Sequence, residues 1–364
     1  MKKVFALLLA LSLVFAVACS SAGPAATPAP AAATEAPAAA TEAPAAATEA
    51  PAAAGMKYAI IVKNTGNPYN DKEAEGFQNA CKEIGAECII KAPANPTAED
   101  QISMISELTA QHVNGIAIAA NDVDALQNAL KKAMDEGIVV ISLDSATNAA
   151  SRMTHANQAD TVKIGQTLVE TAYDLTGGSG EFAILSATAQ ASNQNAWIAQ
   201  MQETLKDPKY ANLKLDKIAY GDDLRDKSVS ETQGLIQSFP DLKCIIAPTT
   251  VGIAAAAKVI TDQNLADKIK VSGLGLPSEM AEYIDSGVCP YMFLWNPIDL
   301  GYLAGYTVDA LAKKTITGKA DDTFKAGKLG DYKITPAADG GTEVLLGPPF
   351  KFEKSNIGEW KNVY

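Results

Sequence analysis

Apolar and polar positions divide this chain into three stretches of different character. Positions 4–17 form an almost unbroken apolar run, with Ser12 as the one polar side chain. Positions 31–51 carry no large apolar residue and repeat Ala-Ala-Ala-Thr-Glu-Ala-Pro three times. From position 58 onward, short apolar runs alternate with stretches of helical period. The pattern predicts strands over 58–63, 87–91, 115–120 and 137–143, and helices over 71–84, 97–112 and 123–135. Helix 71–84 places Ala74, Phe77, Ala80, Cys81 and Ile84 on one face and stops at Gly85, a C-cap glycine. Thr97 and Asp100 form a capping pair at the next helix start. The same order then restarts, with strands at 180–185, 214–220, 244–247, 268–272 and 290–294. Helices are predicted over 161–175, 192–206, 227–238, 251–263, 277–286 and 300–313.

Continuously apolar strands alternating with helices indicate parallel sheets covered on both faces. The expected fold is α/β, with two doubly wound parallel-sheet domains, a hinge and a ligand cleft between them. No sequence repeat links the halves. Residues 56–157 plus about 297–330 make the expected first lobe, and 158–296 plus about 331–364 the second. The joins fall near Gln158 and Asn296.

In such sheets ligands bind beyond the carboxyl ends of the strands. Those ends carry Lys63, Asn67, Tyr69, Asn70, Asn121 and Asp144 in the first half. The second half supplies Asn193, Gln194, Trp197, Pro248, Thr249, Thr250, Leu276 and Trp295. Amides and a few charges satisfy hydroxyl groups, and aromatic faces cover the C–H surface of a sugar ring. Each residue also has a structural reading. Lys63 could be a solvated strand end, Asp144 a cap on a turn, and Asn193 and Gln194 the start of a helix. The tryptophans could fill the core, and residues 248–250 could shape a turn. Two facing lobes with such loops imply a cleft that closes by hinge motion.

The first 55 residues change the picture of where this happens. Met1-Lys2-Lys3, the apolar run and small Ala18 read as a signal peptide over 1–18. Ala16-Val17-Ala18-Cys19 resembles the lipobox of bacterial lipoproteins, in which the cysteine is lipidated, although Leu is usual where Ala16 stands. An ordinary signal with an incidental cysteine is the alternative. Residues 19–55 then form a tether. Proline every seventh residue breaks any helix, and nothing there is large enough to bury. At about 3.1 Å per residue it spans roughly 110 Å when extended. The expected location is outside the cytoplasm, in the periplasm or lipid-anchored on the outer side of the cell membrane. The anchor is the one expected membrane attachment, and a monomer is expected.

Composition narrows the classes further. About 310 residues remain after the tether, enough for two α/β domains. The net charge is −12, and removing Lys2 and Lys3 with the signal takes it to −14. An acidic chain without a basic stripe is a poor nucleic-acid binder. The two histidines do not combine with cysteines at ligand spacing, so a transition-metal site is not expected. Cys81, Cys88, Cys244 and Cys289 either pair, as export allows, or stay as buried thiols. No nucleophile elbow or phosphate loop is present, which argues against an enzyme. Gly273-Leu-Gly-Leu-Pro lacks the third glycine of a dinucleotide loop, and no cofactor is expected.

Several longer segments carry a family likeness. They are Phe182-Ala-Ile-Leu-Ser-Ala-Thr188, Asn193-Gln-Asn-Ala-Trp197, Tyr220-Gly-Asp-Asp-Leu224, Ile246-Ala-Pro-Thr-Thr-Val-Gly252, Gly273-Leu-Gly-Leu-Pro-Ser-Glu-Met280 and Trp295-Asn-Pro-Ile-Asp-Leu-Gly301. From about residue 57 to the C-terminus the chain resembles the solute-binding proteins of bacterial sugar ABC importers, nearest the rhamnose-binding group. The resemblance implies a type I periplasmic-binding-protein fold, no catalysis, and delivery of a small sugar to a membrane permease. Autoinducer-2 receptors are a sister group. Lys63, Asp144, Gln194 and Pro248 match their ligand-binding positions. Asn193 stands where they have aspartate, and Thr250 where they have alanine. Those departures rank rhamnose above autoinducer-2. A sugar-sensing receptor component remains a further reading.

Overall fold

A computed structural model of the chain describes residues 55–364. The expectations for the signal peptide, for lipidation at Cys19 and for the tether up to position 54 lie outside the described residues. No helix among the described residues is long and apolar enough to cross a membrane.

The first half runs β1 (Lys57–Ile61), α1 (Pro68–Ile84), β2 (Glu87–Lys91), α2 (Ala98–Ala110), β3 (Gly115–Ile118), α3 (Gln127–Asp135), β4 (Val139–Leu143) and β5 (His155–Asn157). These strands pair in parallel in the order β2-β1-β3-β4-β5. Every residue of β3 and β4 is buried, which explains why they read as unbroken apolar runs instead of alternating ones.

The second half follows with α4 (Thr161–Thr176), β6 (Gly180–Ser186), α5 (Ser192–Thr204), β7 (Leu213–Tyr220), α6 (Arg225–Ser238) and β8 (Leu242–Ala247). It continues with α7 (Thr250–Asp262), β9 (Lys270–Gly273), α8 (Pro277–Asp285) and β10 (Tyr291–Leu294). Here the parallel order is β7-β6-β8-β9. The Gly273-Leu-Gly segment is glycine-rich for packing. A Cβ on Gly273, whose φ is +144°, would meet the Ala247 carbonyl oxygen at 2.0 Å, and one on Gly275 would meet Met292 Sδ at 2.5 Å.

Helix α9 (Pro297–Ala312) returns to the first half and lies against α1. The two approach so closely that a Cβ on Gly76 would meet the Ile298 carbonyl oxygen at 1.8 Å, and one on Gly301 would meet that of Glu73 at 1.9 Å. Strands β11 (Thr323–Lys325), β12 (Asp331–Pro336) and β13 (Thr342–Leu345) then extend the first sheet beyond β5. Only afterwards does the chain cross again, so that β14 (Phe350–Glu353) pairs antiparallel with β10 and α10 (Ile357–Trp360) packs on α8.

That ending corrects the expected division of the tail. Residues 331–345 belong to the first sheet, because β13 lies parallel to β5 with Val344 opposite Ala156. The second side regains the chain only at β14. Helix α1 also begins earlier than the apolar period indicates. Pro68 occupies its first turn, and the Asn67 side chain accepts from the Tyr69 N–H. Cys81, Cys88, Cys244 and Cys289 are all free thiols.

Candidate functional site

In both sheets the strand order reverses once. The chain leaves β1 to one side for β2 and comes back on its other side for β3, and it leaves β6 for β7 and then β8 in the same way. Loops diverge at such points and open a crevice at the carboxyl ends of the strands. The crevices of the two sheets face each other. Together they form a narrow cleft with a cavity volume of about 40 Å³.

Its lining comes from nearly every strand end. Lys63 follows β1, and Asn67, Tyr69 and Asn70 open α1. Asp144 follows β4. Asn193, Gln194 and Trp197 lie on the first turns of α5, and Pro248, Thr249 and Thr250 follow β8. Trp295 follows β10. Thus twelve of the ligand-binding residues read from the sequence share one cleft. Asp223, Leu274 and Leu294 line it too and had not been singled out.

Two expected residues do not line it. The Asn121 carboxamide donates to the Lys63 carbonyl at 2.8 Å, and its backbone N–H donates to Gln101. It therefore braces the ends of β1 and β3. Leu276 is the N-cap residue of α8 and sits in the core at 1% exposure, while Leu274 and Leu294 supply the apolar wall.

Asp144 is the centre of the polar network. Its backbone is left-handed, with φ of +54°, a conformation that a short polar side chain tolerates better than most. That turn brings in Tyr69 OH at 3.2 Å, Asn193 Nδ2 at 3.0 Å and Ser145 Oγ at 3.0 Å, all as donors. Lys63 Nζ lies 3.8 Å from Asp144 Oδ2 and donates to Asn193 Oδ1 at 3.1 Å. Tyr69 in turn accepts from Trp295 Nε1 at 2.7 Å. Burial first, then the Asp144 charge, hold its phenol far above the ordinary range, so it stays a donor to Asp144.

The two sides of the cleft meet directly through these groups. Thr250 Oγ1 donates across it to Asn67 Oδ1 at 3.0 Å, and Ser192 Oγ donates to the Ala146 carbonyl at 3.0 Å. Gln194 is fixed from its own side, since Ser186 Oγ and the Ala187 N–H both reach its Oε1 at 2.7 Å. This orientation leaves its NH₂ group as the end available to a ligand. Trp197 and Trp295 pack 5.8 Å apart by ring centroid, and Tyr69 meets Trp295 edge-on at 6.4 Å. Donors and acceptors together with aromatic and leucine carbons in one lining suit a small ring bearing both hydroxyl and C–H surfaces.

The comparisons with known proteins agree with this geometry. The periplasmic binding protein domain family matches residues 58–316. An ABC transporter solute binding protein from Clostridium phytofermentas, solved with bound L-rhamnose, is 53% identical. It covers 85% of this chain and 99% of its own, with a TM-score of 0.84. LsrB from Clostridium saccharobutylicum, solved in complex with AI-2, shares the fold at a TM-score of 0.79 and 22% identity, over 84% of this chain and 99% of its own. The D-allose-binding periplasmic protein of Escherichia coli is 24% identical over 257 residues, 68% of this chain and 82% of its own length. Matched in sequence across both sheets and in structure across the cleft, the chain belongs to the periplasmic binding protein domain family, among the extracytoplasmic sugar-binding proteins of ABC transporters, which bind a solute and do not catalyse.

Proposed function

We propose that the cleft takes a single small sugar, that this sugar is L-rhamnose, and that the chain hands it to the permease of an ABC importer. The observation that carries the reading is the 53% identity to the relative solved with L-rhamnose. The cleft chemistry supports it. Rhamnose is a six-carbon ring with a methyl group where related hexoses have a hydroxymethyl, and Leu274, Leu294 and Trp295 offer that methyl an apolar wall. A hydroxyl buried there without a partner would cost about 1–3 kcal/mol. Twelve of the residues read from the sequence, from Lys63 to Trp295, would form the ligand shell.

Autoinducer-2 is the second reading, favoured by Lys63, Asp144, Gln194 and Pro248 lining the cleft together. Calorimetry on residues 55–364 tests the two. L-rhamnose is expected to bind at least about tenfold more tightly than L-mannose, and more tightly than autoinducer-2. Asn193→Asp combined with Thr250→Ala is expected to narrow the gap to autoinducer-2. Tighter native binding of autoinducer-2 would reverse the ranking. We also propose lipidation at Cys19, with the tether holding the lobes away from the membrane. Cys19→Ala is then expected to move the full chain from the membrane to the soluble fraction, and unchanged fractionation would defeat the anchor.

A further inference from the structure

We propose that Asp223 is a second ligand-binding carboxylate, contributed by the second sheet, that takes a ring hydroxyl on the side opposite Asp144. The inference rests on the reading of the cleft as a sugar site. Asp223 lines the cleft together with Lys63 and Asp144. It lies in the turn after β7, where Gly221 and Asp222 are held by backbone bonds to Ser186 and Ala187. Asp222 and Asp223 are both left-handed, with φ of +55° and +52°. Two successive residues in that conformation send their carboxylates apart. Asp222 turns outward to Lys227, whereas Asp223 turns inward and accepts the Thr249 hydroxyl through Oδ1. Its Oδ2 has no donor among the described residues, so one carboxylate oxygen remains for a ligand.

The charge environment agrees with this assignment. Burial pushes the Asp223 carboxyl up, while Lys63 and the Thr249 hydroxyl pull it back. Among the described residues lining the cleft, Lys63 is the one cation, set against Asp144 and Asp223. A lining with more acceptors than cations suits an uncharged ring rich in hydroxyl donors. The two carboxylates come from opposite sides, so a hydroxylated ligand held by both would draw the sides together.

The competing explanation is that Asp223 only anchors Thr249 and hence the start of α7. Calorimetry of Asp223→Asn and Asp223→Ala with L-rhamnose and its monodeoxy analogues separates the two. Contact predicts a roughly ten- to hundredfold loss for L-rhamnose in Asp223→Ala. It also predicts one deoxy analogue, lacking the hydroxyl Asp223 takes, that binds wild type and Asp223→Ala alike. Loss spread equally over every analogue, or native affinity in both variants, overturns the inference. Where the wild type prefers another sugar from a panel with D-allose, D-ribose and L-arabinose, the same variants and that sugar's deoxy forms are used. A wild type that binds no sugar sinks the sugar reading itself and this inference with it. Sugar binding in the wild type that is indifferent to Asp223 sinks this inference alone.

Discussion

The first-sheet side of the cleft carries Lys63, Asp144 and Tyr69 in one linked network, whereas the second-sheet side carries Asn193, Gln194, Thr249 and Thr250. The first set is ionic and holds itself in place. The second is made mostly of neutral groups, several of them bonded to neighbours in the cleft, with Asp223 as its exception. Hydrogen bonds to charged groups contribute about 1.5–3 kcal/mol, and neutral ones about 0.5–1.5 kcal/mol. The difference therefore assigns roles. Binding strength should rest on the first side, and discrimination among sugars on the amides and hydroxyls of the second. The positions that depart from the autoinducer-2 receptors, Asn193 and Thr250, both lie on that second side.

The sharpest way to break this assignment is to weaken one group on each side. Asp144→Asn removes the charge yet keeps a side chain that tolerates the left-handed backbone, so folding is preserved. It should cost roughly tenfold to several hundredfold in affinity, partly because Lys63 is left buried beside a neutral neighbour. Thr250→Val removes one neutral cross-cleft bond to Asn67 and should cost only about two- to tenfold. Calorimetry on both variants checks the order. Equal losses, or a larger one for Thr250→Val, would remove the division of labour.

How much of this was legible before the structure depended on how local each feature is. Strands β1, β3, β4, β6 and β8 are buried parallel strands, so each announces itself as an apolar run, and the polar residues just after each run mark the cleft. Strands β5 and β11–β13 gave no such signal. His155-Ala-Asn157 and Thr323-Phe-Lys325 are three residues each and mixed in polarity. Their pairing is set by partners far along the chain, as when Glu343 lies opposite His155. Asn121 misled because β3 stops at Ile118, which gives the chain room to turn that side chain back onto the Lys63 carbonyl. Asp223 was hidden in an Asp-Asp pair that reads as an ordinary turn. Only the left-handed backbone and the Thr249 contact show which of the two points inward.

Glu73 offers the subtlest test, because it decides how much charge the first side holds. It lies on α1, fully buried, and neither carboxylate oxygen has a hydrogen-bond partner among the described residues. Lys63, Asp144 and Tyr69 are the charged and titratable groups that act on it. Burial first, then the Asp144 charge, push its carboxyl well above the usual range, and Lys63 opposes them without prevailing. Protonated, it leaves Lys63 and Asp144 as a balanced pair. Ionised, it would add a second negative charge and compete for Lys63. The sign of the pH effect follows from that raised value. Below pH about 4.5 the folded and unfolded chains both hold the proton. Above it the unfolded chain releases the proton first, so the stability linked to Glu73 falls until the pH passes the folded value. Glu73→Gln removes this linkage. Denaturant unfolding of both proteins between pH 5 and 8 should therefore show wild type losing stability relative to the variant as the pH rises. A flat difference across that window would mean that Glu73 is ionised in the fold, and the first side would then carry an excess of negative charge rather than a balanced pair.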